Sequence, residues 1–413
     1  MQTRKNIVLW VLYDFANSIV SIVFFLYFAQ WIVIDRGVSD FHFNLAFTAS
    51  AVLLLLTVPT TGMLLDTHIR RIVGLRVTTA CVITLYSLCA LSALWGKEYA
   101  ALILFALGLY MYLLSFTFYT PLLNDIAAAG KRGRVSGFGI AANYLGQIVG
   151  LLIALPFSKG TVSLFHATPR AETLLPAILL FALLSLPALL LLDEPKHAAA
   201  TTPLAQTWKQ TFRQTRSLLN SPSVAYFLAA YFLFNDAILT VSNNFPIFLE
   251  NVWAVGDTTK TFILLGILPT CAAGGVLSGF LADRFGHKRT LVVILLGWLG
   301  LLPLLGLLTD FTLFVISTTI MGFWFGASWT VSRSVMSHIA PAGRHNLAFA
   351  YFGLAERASS FIGPIAWGLL VTNLISLGSG RYRITTIAMT GFIVLGLLAL
   401  ARVHDERTPS RAG

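Results

Sequence analysis

The chain has 413 residues, 57% of them hydrophobic and 11% charged, with a mean hydropathy of +0.79. Soluble domains carry about 25% charged residues, so an ordinary aqueous domain is excluded. The net charge of +11 would suggest nucleic acid in a soluble protein, but in so apolar a chain it bears on membrane orientation, and no nucleic-acid partner is expected.

Apolar stretches of about 20 residues recur, each able to cross a bilayer as a helix. Twelve spans are predicted: 6–31, 43–65, 72–95, 99–123, 135–158 and 174–192, then 223–249, 260–282, 290–308, 311–334, 347–372 and 384–402. The first is too long for a cleaved leader, and it carries polar residues in its middle. Those residues form YDFANS, Tyr13 to Ser18. Asp14 lies roughly 12 Å into the span at 1.5 Å per residue, too deep for a short side chain to reach water. Asn17 follows three positions later on nearly the same face.

After span two stands GMLLDTHIRR, with Gly62 and Asp66. Span four is rich in aromatics (Tyr110, Tyr112, Phe116, Tyr119), which read either as the lining of a cavity or, for most of them, as packing and interface residues. At its end Asp125, with Arg132 and Arg134 nearby in sequence, reads as gate or loop chemistry. Residues 193–222 form the longest polar stretch; Pro195 and Pro203 interrupt it, and a short surface helix around Trp208 and Phe212 or an unstructured tether both fit.

Span seven carries Tyr231, Asn235 and Asp236, then Asn243 and Asn244. Tyr13 and Asn17 precede Tyr231 and Asn235 by 218 positions, and each pair is spaced to share one helix face. In a two-fold fold these faces are expected to meet across a central cavity. Asp14 and Asp236 then read either as substrate and proton sites or as interhelical hydrogen-bond glue. Between spans eight and nine stands GFLADRFGHKR. Gly279 would permit close helix approach, Asp283 and Arg284 a latch, Gly286 a tight turn, and Lys288 with Arg289 headgroup anchoring. Arg333, near the end of span ten, is expected to snorkel. Glu356 and Arg357, adjacent in span eleven, point in different directions, and Arg357 is a candidate counter-ion for Asp14, Asp236 or a substrate carboxylate.

Of the 28 Lys and Arg, nineteen fall at the termini and even-numbered loops and seven in the odd-numbered loops. The positive-inside rule therefore predicts both termini in the cytoplasm. Internal repetition supports two halves, 1–192 and 223–413: IAAAGK at 126–131 returns as IAPAGR at 339–344, and Gly62/Asp66 return as Gly279/Asp283. Cys81, Cys89 and Cys271 fall in spans with no metal spacing. No Walker pattern or nucleophile–base set is visible, so neither a cofactor, a metal nor an enzyme is expected.

The GFLADRFGHKR loop resembles the loop signature of the major facilitator superfamily, whose fold is two six-helix bundles around a central substrate site. YDFANS, NDIAAAGKRGRVSGFGIAANYLG, AYFLFNDAI, VSRSVMSHIAPAGR and ERASSFIGP together are similar to its branch of vacuolar amino-acid effluxers and their bacterial relatives. The resemblance implies an all-α, polytopic secondary transporter of twelve transmembrane helices working by alternating access. Its expected partners are the bilayer, a small solute such as an amino acid, and a proton, with sodium possible. A bacterial inner-membrane monomer that exports its solute is expected. Alternatives are an amphiphile efflux pump and a non-transporting receptor or assembly factor on the same fold.

Overall fold

The computed structural model describes residues 2–67, 70–127, 132–193, 213, 220–341 and 345–404. Among them there is helix and no strand, as expected where hydrocarbon offers no partner for backbone amides and each segment must satisfy its own. The predicted linker helix falls in residues outside that description.

The first six predicted spans become α1 (Gln2–Val23), α2 (Asp40–Thr67), α3 (Arg71–Leu94), α4 (Glu98–Ile126), α5 (Arg132–Ser158) and α6 (Leu174–Leu191). α1 continues through two π-helical turns, Phe24–Phe28 and Trp31–Asp35. The second half begins with α7 (Pro222–Trp253), α8 (Asp257–Phe285), α9 (His287–Leu307) and α10 (Phe311–Ile339). Span eleven, expected as one helix over 347–372, is two: α11 (His345–Ala358) and α12 (Ile362–Asn373). Span twelve is α13 (Gly380–Ala388) running into α14 (Thr390–Ala401). Among the described residues eleven helices are long and apolar enough to cross a membrane, and the broken span makes the twelfth crossing from two short pieces.

The chain clusters into two compact units: Met1–Leu204 with Gly256–Thr261, and Ala205–Val255 with Phe262–Gly413. In the first, α1 packs on α5 and α6. A Cβ at Gly150 would stand 2.9 Å from the Ile19 carbonyl, and one at Gly146 would clash with that of Phe15. The small residues thus let the α1 and α5 backbones meet, the way membrane helices gain packing when lipid is as apolar as they are. An aromatic stack packs the π-helical turn that follows α1: Phe24 lies 4.1 Å from Tyr86 and Phe28 4.5 Å from Phe105.

In the second unit α7 is central, with 17 buried residues including Tyr231, Asn235 and Asp236. Close approach of α8 and α10 is made at Gly274 and Gly326, where a Cβ would strike the carbonyls of Phe323 and Cys271. The sequence suggested Gly279 for that role, but its Cβ position is an ordinary 3.8 Å from Thr330. Gly286, with φ +96°, does turn the chain from α8 into α9.

A charged network closes one end of the first unit. Arg170 donates from Nη1 to Asp35 at 2.7 Å and from Nε and Nη2 to the two oxygens of Asp257 at 3.0 and 3.1 Å. Lys260, fully buried, donates to Gln30 and lies 3.3 Å from Asp257. These pairs fix the first turn of α8 within that unit.

A broken helix served by neighbouring residues

The break in span eleven has a local cause. Its sequence is Ser359-Ser360-Phe361-Ile362-Gly363-Pro364. A proline ring clashes with the carbonyl four residues earlier, here that of Ser360, and lacks an N–H. In the first turn of a new helix both defects vanish, because the first amides have no intrahelical partner. The chain therefore ends α11 at Ala358 and starts α12 at Ile362.

Ending one helix and starting another inside an apolar unit leaves carbonyls on one side and amides on the other without partners. Two adjacent residues of α7 supply both. Asp236 accepts on Oδ2 from the amides of Ile362 at 3.0 Å and Gly363 at 2.7 Å. Asn235 donates from Nδ2 to the carbonyl of Glu356 at 3.3 Å, in the last turn of α11. Its Oδ1 in turn accepts from the Trp329 indole at 3.2 Å. Asn235 and Asp236 are each fully buried. The negative residue thus faces the positive end of α12, and the amide faces the negative end of α11, as the helix dipoles favour.

A second feature lies beside this cap. Asp236 Oδ1 and Thr240 Oγ1 are buried next to each other, and the Asp236 carboxyl also faces the Phe361 amide. Both border Gly363: a Cβ there would stand 2.8 Å from Oδ1 and closer still to Oγ1. Only glycine leaves that spot open.

Around the end of α11 charges collect. Glu356 pairs with Arg333 of α10 at 3.4 Å, with the glutamate side chain 24% exposed and the arginine 47%. Arg333, expected to snorkel, is tied to a carboxylate instead. Arg357 lies in the last turn of α11, where a cation complements the carbonyl end, and its guanidinium runs back towards Gly353. The buried Tyr231 ring stacks on Phe352 at 4.4 Å, and its hydroxyl has no partner among the described residues.

The first unit treats its equivalent residues differently. The hydroxyl of Tyr13 bonds Thr79 at 2.8 Å and its ring lies 5.1 Å from Tyr119, so it ties α1 to α3 and α4. Asn17 is buried, with its amide beside the Tyr112 hydroxyl. Asp14 faces α5, its Oδ2 3.4 Å from where a Gly139 Cβ would be. Ser18, which holds the repeat position of Asp236, bonds its own helix at the Asp14 carbonyl. The partner α5 is continuous, with Gly146 at the position 218 before Pro364. No half-helix there needs a cap, and no carboxylate stands where one would act. Within its own unit Tyr13 is engaged by Thr79 and Tyr119, and the Tyr231 ring by Phe352.

Of the loop residues, Asp125 is paired with Arg71 at 2.5 Å, a partner that sequence proximity to Arg132 and Arg134 did not suggest. Gly62 and Asp66 lie on α2 and Arg134 on α5, and their side chains are outside the described residues. Asp283, Arg284 and Arg289 are exposed. Lys288 reaches the carbonyls of Ala401 at 3.3 Å and Val403 at 2.5 Å, closing the end of α14 rather than standing free for headgroups. No cluster of three or more His, Cys, Asp or Glu fit to hold a metal occurs among the described residues.

Residues 50–413 match the family model described as "Vacuole effluxer Atg22 like". The chain is 26% identical to Autophagy-related protein 22-1 of Aspergillus fumigatus over 68% of its own length and 49% of that protein's. It is 26% identical to Autophagy-related protein 22 of Saccharomyces cerevisiae over 49% and 40%. It spans about a third to a half of the curated relatives it matches (31% to 52%). Among solved structures, an inward-facing bacterial homologue of the human lysosomal transporter Spinster superposes with a TM-score of 0.72, 15% identity and 99% and 98% coverage. The nucleoside transporter NupG gives 0.71, 12% identity and 98% and 99% coverage. These likenesses show the transporter fold anticipated from the loop signature.

Proposed function

From the premise that this chain belongs to the Atg22-like vacuole effluxer family, and is thus a multi-pass membrane transporter rather than an enzyme, we propose that it exports an amino acid or a similar zwitterionic metabolite by proton-coupled alternating access. The observation that carries the substrate class is the charge grouping at the end of α11. Glu356, partly exposed, stands 3.4 Å from Arg333, with Arg357 next in sequence. A carboxylate beside guanidinium groups suits the two ends of a zwitterion: the carboxylate takes an ammonium, and the planar fork takes a carboxylate. Insertion of such groups in an apolar unit is costly unless function or pairing repays it.

Coupling is assigned to Asp236, a carboxyl fully buried in α7, with Asp14 as a second candidate. The halves 1–192 and 223–413 act as the moving bodies, each chain transporting alone, with Asp283 and Arg284 on the loop that latches them. The excess of basic residues in the even-numbered loops supports cytoplasmic termini. A bacterial inner membrane is the setting we favour, although the curated relatives are fungal.

Entrance counterflow in proteoliposomes tests the substrate class without any ion gradient. Vesicles preloaded with each unlabelled amino acid in turn should transiently concentrate the labelled one for at least one side-chain type. Absence of counterflow for every amino acid defeats the zwitterion reading. Counterflow unchanged by Glu356→Gln, Arg333→Gln and Arg357→Gln would move the site elsewhere.

A further inference from the structure

The cap on α12 uses one oxygen of a carboxyl group whose other oxygen faces Thr240. Oδ2 of Asp236 holds the first amides of α12, while Oδ1 and Thr240 Oγ1 border the space that Gly363 leaves open. We propose that Asp236 makes the break in span eleven proton-responsive: the ionised carboxylate fastens α12 to α7, and protonation at Oδ1 loosens that fastening. The idea deepens the coupling role proposed above and rests on it.

The chemistry follows from the two oxygens. Ionised, the group gives two charge-assisted bonds to Ile362 and Gly363 and sets a negative charge at the positive end of a helix. A proton on Oδ1 points at the space shared with Thr240, whose hydroxyl can accept it. Oδ2 is then a neutral carbonyl, which still accepts but holds less tightly, and the attraction to the helix end is gone. Asn235 keeps its bond to the Glu356 carbonyl in either state. α11 therefore stays on α7 while the first turn of α12 is freed, and the three residues 359–361 between them are the hinge.

The surroundings allow the proton on Asp236 to dominate. Of the elements packed on α7, α12 and α14 carry no titratable side chain. α11 brings His345, Tyr351, Glu356 and Arg357, α10 brings Arg333 and His338, and α13 brings Arg381, Tyr382 and Arg383; Tyr226, Tyr231 and Glu250 lie on α7 itself, and His338, in the last turn of α10, is stacked on His287. Glu356 is balanced by Arg333, and Asp236 is held by backbone amides rather than by a cation.

Backbone amide exchange of the full chain in nanodiscs, from pH 5 to pH 8 and corrected for intrinsic exchange, tests this with no substrate present. In the wild-type protein the Ile362 and Gly363 amides should exchange about tenfold faster at the acid end, the loss expected when charge-assisted bonds become neutral ones. Leu369 and Leu370, deeper in α12, should stay protected. Asp236→Asn keeps a carbonyl acceptor, donates as the protonated acid does and has no charge to lose. It should show the faster exchange at every pH. Wild-type protection that is flat with pH overturns the proposal. So does a pH dependence that survives in Asp236→Asn. A protein that shows the switch yet fails the counterflow test leaves this hinge standing and removes only the zwitterion reading.

Discussion

The guanidinium of Arg170 holds Asp257 by both carboxylate oxygens, Nε to Oδ2 at 3.0 Å and Nη2 to Oδ1 at 3.1 Å. Arg170 is 12% exposed and Asp257 8%, so neither charge has much water to turn to, and if its partner is removed each keeps only its second one, Asp35 or Lys260. Breaking a buried pair on one side costs about 3–5 kcal/mol, whereas removing both charges costs far less. Arg170→Gln is expected to lower the thermal midpoint of the purified protein markedly. The double variant Arg170→Gln/Asp257→Asn should recover part of that loss. Additive losses in the double variant would show that the two residues act separately.

Gly363→Ala places a methyl 2.8 Å from Asp236 Oδ1. Overpacking of this kind costs about 1–3 kcal/mol, and here it also pushes the cap away from the amides it holds. A fall in thermal midpoint larger than that of Gly353→Ala, where the nearest atom is the flexible end of Arg357 at 3.9 Å, is the expected result. Equal midpoints would mean that α12 shifts freely.

Glu356→Gln separates stability from binding. Its pair with Arg333 is partly exposed, and such pairs contribute about 0–1 kcal/mol. The variant should therefore melt close to the wild type yet lose counterflow. A large drop in midpoint with counterflow retained would assign Glu356 to structure.

Much of this architecture is legible in the sequence, since apolar length marks spans and a 218-residue offset marks the repeat. What escaped is local. The apolar run 347–372 masked the break, although Ser-Ser ahead of Gly-Pro was a visible stop signal. The offset also sets Ser18 against Asp236, a difference with a structural meaning: the aspartate belongs with a broken partner helix and the serine with a continuous one. Pairings such as Asp125 with Arg71, 54 residues apart in the chain, follow from helix packing and leave no mark in spacing. The choice of Gly274 and Gly326 over Gly279 for close approach likewise depends on where two helix axes cross.

The central claim is that a proton on Asp236 drives uphill movement of a zwitterion. The direct test is accumulation of the counterflow-competent amino acid in proteoliposomes under an imposed pH gradient, comparing wild type with Asp236→Asn. The account predicts concentrative uptake by the wild type that collapses with the gradient, and exchange without accumulation by the variant. Accumulation by Asp236→Asn equal to wild type would contradict it.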